Sequence, residues 1–200
     1  KTFESNFADY CGSKHCIGVG NGLDALVLIF KGYIQLGKLQ KGDQVIVPAN
    51  TYIASILAIL QADLVPVLVE PKLETYNINP DLIQGKITSK TKAILAVHLY
   101  GQLAEMEAIN AIAKQNNLLV IEDAAQSFGA KRDGIHSCGA SLIGSTSFFP
   151  AKPLGCCGDG GALFTNDDNL ALTMKTIRSH GGIERHNHTH VGMNGRFDTI

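Results

Sequence analysis

The sequence predicts an α/β domain, a mostly parallel sheet with helices on both faces. Short apolar runs rich in β-branched residues alternate with longer stretches whose apolar residues recur three and four apart. The short runs are near-continuously hydrophobic, as strands are when a sheet is covered on both faces. Their alternation with helical segments is the order that βαβ units require.

In chain order, "LDALVLIFKGYIQLG" (23–37) reads as a helix, "DQVIVP" (43–48) as a strand, "TYIASILAILQAD" (51–63) as a helix and "LVPVLVE" (64–70) as a strand. Then come the strand "KAILAVHL" (92–99), the helix "AEMEAINAIAKQNN" (104–117), the strands "LLVIED" (118–123) and "STSFF" (145–149), and the helix "NLALTMKTIRSHG" (169–181). No linker-like segment divides the chain. The polar stretch "GGIERHNHTHVGMNG" (181–195) reads as a loop or an exit towards a further domain.

Composition narrows the function. The 200 residues are 45% hydrophobic with a formal net charge of −1 and no block of like charge. That leaves no electrostatic footprint for nucleic acid or an anionic membrane surface. No apolar run approaches the roughly 18 residues a membrane helix needs, so the expected protein is cytoplasmic and its partner a small molecule or another folded chain. Cys11, Cys16, Cys138, Cys156 and Cys157 lack the CxxC pairs of a zinc site and read as reduced thiols.

Ligands of α/β folds gather where strands end and helices begin. In "GVGNGLDAL" (18–26) the N–H groups of Gly22 and Leu23, with the helix dipole behind them, suit a phosphate; turn geometry is the blander reading. In "LLVIEDAAQSFGA" (118–130) Asp123 ends a buried strand, where a carboxylate is costly without a cation. It either caps the following helix or pairs with a protonated ring nitrogen. In "SFFPAKPLG" (147–155) Pro150 and Pro153 bracket Lys152 and stiffen its turn, which suits an amine aimed for covalent chemistry. Ser147, five residues earlier, can donate to a phosphate. A phosphate cup, a strand-end carboxylate and a rigid lysine are together what pyridoxal phosphate (PLP) asks of a protein.

On these stretches, together with "VIVPANTYIAS", "HLYGQ", "GDGGALFTND", "RSHG" and "VGMNGRFD", the chain resembles the large domain of the DegT/DnrJ/StrS-type sugar nucleotide aminotransferases, fold type I PLP enzymes. The resemblance runs through nearly all 200 residues and implies residues 1–200 as a PLP-binding large domain, a fragment whose smaller C-terminal domain lies outside it. It implies Lys152 as the lysine that carries the cofactor, Asp123 at the pyridine nitrogen and Gln126 near the ring hydroxyl. Gly22, Leu23 and Ser147 fall around the phosphate, Tyr52 stacks on the ring, and Asn194 reaches the phosphate of a neighbouring subunit in a homodimer. The implied reaction moves an amino group from L-glutamate to a keto group of a nucleotide-linked deoxysugar, with C3 of a dTDP-3-keto-6-deoxyhexose favoured by the wording of the motifs. Relatives that dehydrate sugars carry histidine where this chain has Lys152. Cys157 and the tyrosine-free "ERHNHTH" depart from the family pattern, so substrate contacts are not carried over there. The alternative is a non-catalytic protein of the same fold that binds a sugar nucleotide or regulates a partner.

Three further features have two readings each. His186, His188 and His190 alternate as metal ligands on a strand can, or lie in a polar loop. Cys156 and Cys157 are a redox pair or small residues packed beside the lysine turn. His98 and Tyr100 face either the site or the core.

Overall fold

The computed structural model describes residues 2–184 and 186–198. Its main sheet has seven strands: β1 (His15–Val19), β2 (Gln44–Pro48), β3 (Val65–Val69), β4 (Thr91–Val97), β5 (Leu119–Asp123), β8 (Ile143–Ser147) and β9 (Gly161–Thr165). Two short strands, β6 (Lys131–Arg132) and β7 (Ile135–His136), form a separate hairpin. The sheet order is β1-β9-β8-β5-β4-β2-β3. β9 alone runs against its neighbours; β2, β3, β4, β5 and β8 pair in parallel. The mostly parallel sheet expected from the sequence is therefore present. "STSFF" is shifted: the strand is Ile143–Ser147, and Phe148 and Phe149 already belong to the turn that carries Lys152.

Pleating sorts the core. Val45, Val47, Ala93, Leu95, Val97 and Ile121 face helices α2 (Gly22–Gln35), α3 (Ile53–Gln61) and α6 (Asp168–Arg178) in one cluster. Ile46, Ile94, Ala96 and Val120 face α5 (Met106–Asn116) on the other side, with α4 (Pro80–Ile83) beside it. α1 (Thr2–Cys11) closes a third cluster built on Phe148 and Phe164. Burial on both faces explains the continuous hydrophobic runs, with one correction. β3 is an edge strand, and its Val65 and Leu68 remain 43% and 50% exposed.

Helix ends are set by ordinary capping. Asn21 caps α2 by accepting from the Asp24 N–H, and Asp167 caps α6 by accepting from the N–H groups of Asn169 and Leu170. α5 ends at Asn117, whose left-handed backbone returns its N–H to the Ala113 carbonyl.

Glu122 is wholly buried on the α5 face. It accepts from His98 Nε2 at 2.9 Å, the Cys138 N–H at 3.0 Å and Ser141 Oγ at 2.9 Å. The Ala104 N–H donates to His98 Nδ1, so the ring proton sits on Nε2, where Glu122 needs it. The reading of His98 is settled by parity: it follows Ala96 on the α5 side and is core. Tyr100 is exposed, packed edge-on against Tyr76.

The segment 181–195 contains a hairpin of β10 (Gly182–Glu184) and β11 (Asn187–His188). Arg185 lies outside the described residues. Only His188 of the three histidines stands in a strand, its Nδ1 donating to the His180 carbonyl, and no metal-binding group of three or more His, Cys, Asp or Glu is found among the described residues. All five cysteines are free thiols. No described helix is long and apolar enough to cross a membrane.

Glu122→Ala would strand three donors in a dry interior. It should destabilise the protein by about 3 kcal/mol, read as a lower denaturant midpoint at unchanged slope.

Candidate active site

The sheet's carboxyl edge, with the N-termini of α2 and α3, encloses a cleft of about 460 Å³. Gly22, Leu23, Tyr52, Asp123, Gln126, Ser147 and Lys152 all line it. Of the expected site residues only Asn194 is elsewhere. It is exposed, bridged to Ser179, and does not line this cleft.

At one end of the cleft three strand ends converge. Ser147 pairs with Gly161 across β8 and β9, and Val19 pairs with the same glycine across β1 and β9. A Cβ on Gly161 would stand 2.6 Å from the Asn21 carbonyl carbon, and one on Gly22 would stand 2.7 Å from Ser147 Cβ. Glycine at both positions lets the α2 N-terminus settle onto the ends of β8 and β9. Among the described residues no acceptor meets the Gly22 or Leu23 N–H, as expected for the first turn of a helix. Ser147 Oγ accepts from the Phe149 N–H at 3.2 Å, which leaves its own proton free. Three donors without partners thus point into one corner, backed by the dipole of a 14-residue helix.

Two carboxylates flank that corner. Asp159 lines the cleft and Asp24 lies in the first turn of α2. Burial, and then repulsion from Asp159, hold the Asp24 carboxyl above its ordinary value.

The other end is polar in a different way. Asp123 is nearly buried and shares the α2/α3 face with Val97, its partner in register on β4. Its Oδ1 accepts from the Ala125 N–H at 3.1 Å and its Oδ2 from Ser55 Oγ at 2.8 Å. The capping alternative fails because the residues after Asp123 form turns, not a helix. Ser55 Oγ also lies 2.8 Å from Thr51 Oγ1. Gln126 is oriented by the Tyr100 N–H, which donates to its Oε1 at 3.1 Å and leaves the amide NH₂ for the cleft.

Lys152 stands on a tight turn whose stiffness has more sources than its prolines. Its N–H donates to the Phe149 carbonyl at 2.8 Å, and the Cys156 N–H closes the loop on the Phe148 carbonyl at 2.8 Å. Gly155 lies against the Pro150 carbonyl, where a Cβ would come within 2.4 Å of the oxygen. Lys152 Nζ is 5.8 Å from the centre of the Tyr52 ring, within cation–π range. Cys156 donates to the Gly158 carbonyl and packs beside this turn, whereas Cys157 is exposed, so the packed-pair reading fits Cys156 alone.

The sequence reading missed Ser55, Thr51 and Asp159. A hydroxyl in the otherwise apolar "IASILAILQ" was the available signal for Ser55.

Because the folded-state value of Asp24 is raised, its charged form is disfavoured by the fold. The cost is absent below the ordinary value of 3.8 and is incurred as pH rises through and above it. Asp24→Asn should therefore raise the thermal midpoint near pH 7 by about 2 °C, a screened, half-exposed effect, and the gain should vanish below about pH 4.

The chain is similar to known proteins along its whole length. The chain is 52% identical over 198 residues to the dTDP-3-amino-3,6-dideoxy-alpha-D-galactopyranose transaminase of Aneurinibacillus thermoaerophilus, covering 99% of this chain and 53% of that protein. It is 49% identical over 197 residues to the UDP-2-acetamido-2-deoxy-3-oxo-D-glucuronate aminotransferase of Pseudomonas aeruginosa, covering 98% and 54%. The crystal structure of S. venezuelae DesV in complex with a ketimine intermediate superposes with a TM-score of 0.93 at 42% identity, covering 98% of this chain and 52% of that one. The chain thus spans about half the length of the relatives it matches. Residues 1–200 match the DegT/DnrJ/EryC1/StrS aminotransferase family throughout, and the chain belongs to that family.

Proposed function

We propose that the protein is a PLP-dependent aminotransferase that moves an amino group from L-glutamate to a keto group of a nucleotide-linked deoxysugar. The observation that carries this reading is the meeting of Lys152, Asp123, Gln126 and three unpaired donors in one cleft. The names of the two relatives both place an oxo or amino group at the sugar's position 3, which supports C3 as the acceptor carbon, and the dTDP-linked 6-deoxy sugar of one of them supports a dTDP-3-keto-6-deoxyhexose.

The residues fit the cofactor by chemistry. Gly22, Leu23 and Ser147 offer neutral donors to a phosphate, and Asp123 offers an anion to a protonated ring nitrogen. The Gln126 NH₂ is free to meet a ring hydroxyl. Tyr52 offers its ring for stacking beside Lys152. When bound, PLP supplies the electron sink that makes the donor's Cα–H bond breakable. Lys152 Nζ would anchor it at rest and, once released, would take the proton from the donor carbon and deliver it to the cofactor carbon that Nζ had held. Asn194 is assigned to the phosphate of the neighbouring subunit in a homodimer. Five free cysteines suit a cytoplasmic setting.

The test uses the full-length protein: PLP, borohydride reduction, and mass-spectrometric mapping of the pyridoxyl peptide. The adduct should fall on Lys152. Lys152→Ala should abolish it and cut transfer from glutamate by about 10³-fold or more. An intact protein with no adduct on Lys152 would move the non-catalytic binding reading to the front. Paired assays on 3-keto and 4-keto sugar nucleotides decide the carbon.

A further inference from the structure

We propose that Ser55 is a positioning residue that aims Asp123 at the cofactor's ring nitrogen, itself oriented by Thr51. The inference deepens the function proposed above and rests on it.

A serine inside a helix ordinarily bonds back to a carbonyl of the preceding turn or points to solvent. Ser55 does neither. It is 1% exposed, sits in the first turn of an apolar helix, and sends its hydroxyl across to the sheet. Its recorded partners are Asp123 Oδ2 and Thr51 Oγ1, each at 2.8 Å. A hydroxyl has one proton. Asp123 Oδ2 is an acceptor, so the Ser55 proton is committed there, and the bond between the two hydroxyls must use the proton of Thr51. The direction of the chain is therefore Thr51 to Ser55 to Asp123.

The consequence is geometric. Asp123 Oδ1 is held by the Ala125 N–H within its own turn, and Oδ2 by a helix on the far side of the cleft wall. Two donors from different elements fix the carboxylate's rotation, which neither does alone. Thr51 lines the cleft, so the chain begins where a ligand can press on it and ends on the carboxylate. Ser55 contacts no ligand space itself, since it does not line the cleft. Its effect must pass through Asp123.

The experiment compares the full-length wild type with Ser55→Ala, Ser55→Thr and Asp123→Asn. PLP affinity is measured by equilibrium dialysis, and ring-nitrogen protonation by the chemical shift of nitrogen-15-labelled PLP on the protein. Ser55→Ala should weaken PLP binding about tenfold, the loss of one charge-assisted hydrogen bond. It should also move the ring-nitrogen signal towards the unprotonated form, with Ser55→Thr restoring both. If the alanine variant fails to fold, Ser55→Cys, a weaker donor of similar size, should shift both readouts in the same direction. Wild-type binding and signal in Ser55→Ala, alongside loss of both in Asp123→Asn, would overturn the inference and leave the functional reading standing. A loss of thermal stability with no ring-nitrogen change would reduce Ser55 to packing and overturn it equally. A wild type that takes up no PLP would overturn the functional reading and this inference with it.

Discussion

Two consecutive carboxylates end β5, and the pleat sends them to opposite faces of the sheet. Glu122 enters the core on the α5 side, where His98, Cys138 and Ser141 saturate it. Asp123 is thereby delivered to the α2/α3 side, at the mouth of the cleft. A buried carboxylate without partners would be intolerable, so the Glu122 hub holds β5 in one register only. A slip of one residue would turn Asp123 to the α5 side and Glu122 to the cleft side, leaving the donors around Glu122 without the carboxylate they fit. The hub also ties the end of β4 to β5 through His98. The turn after His98 presents the Tyr100 N–H that orients Gln126. One structural carboxylate on the back face therefore positions two functional side chains on the front.

The anion end of the cleft depends on the opposite device, side chains that are missing. Gly161 and Gly22 allow backbone to lie on backbone where β1, β8 and β9 meet the start of α2. That contact brings Ser147 beside two unpaired helix N–H groups. Because β9 is the one strand running against the rest, its first residue, not its last, arrives at the carboxyl edge. The reversed strand is thus what brings a glycine to that corner.

Much of this was legible in the sequence, for a physical reason. Strand-to-helix junctions are where the chain shows polar residues at the end of apolar runs, and Gly22, Leu23, Asp123, Gln126, Ser147 and Lys152 all lie at such junctions or just beyond them. The elements that escaped were those with weak patterns. β1, "HCIGV", is too short and too rich in small residues to announce itself, and β9 is half hidden in the glycine-rich run 155–164. Which face His98 takes follows from register, which no local pattern encodes. Ser55 escaped because its significance lies in a contact 68 residues away. Asn194 is a different case. Its expected role belongs to a neighbouring subunit, and a single chain shows only that it is exposed and away from its own cleft.

The charge balance of the cleft gives that role physical weight. Among its described lining residues Lys152 is the only cation, set against Asp123 and Asp159, with Asp24 close behind. A phosphate there meets three neutral donors and the roughly half charge of a helix N-terminus, while two carboxylates oppose it. Neutral donors must then be numerous for the corner to hold a dianion, because each replaces water without adding positive charge. Gly22, Leu23 and Ser147 supply three, fewer than the phosphate's oxygens can accept. A further neutral donor arriving from outside the chain, such as the amide of Asn194 in the proposed homodimer, would add to them without disturbing the lysine. A second cation would do the same work at the cost of competing with Lys152 for the acidic rim. In the proposed homodimer the partner subunit would complete the phosphate site, and an asparagine suits that position better than an arginine.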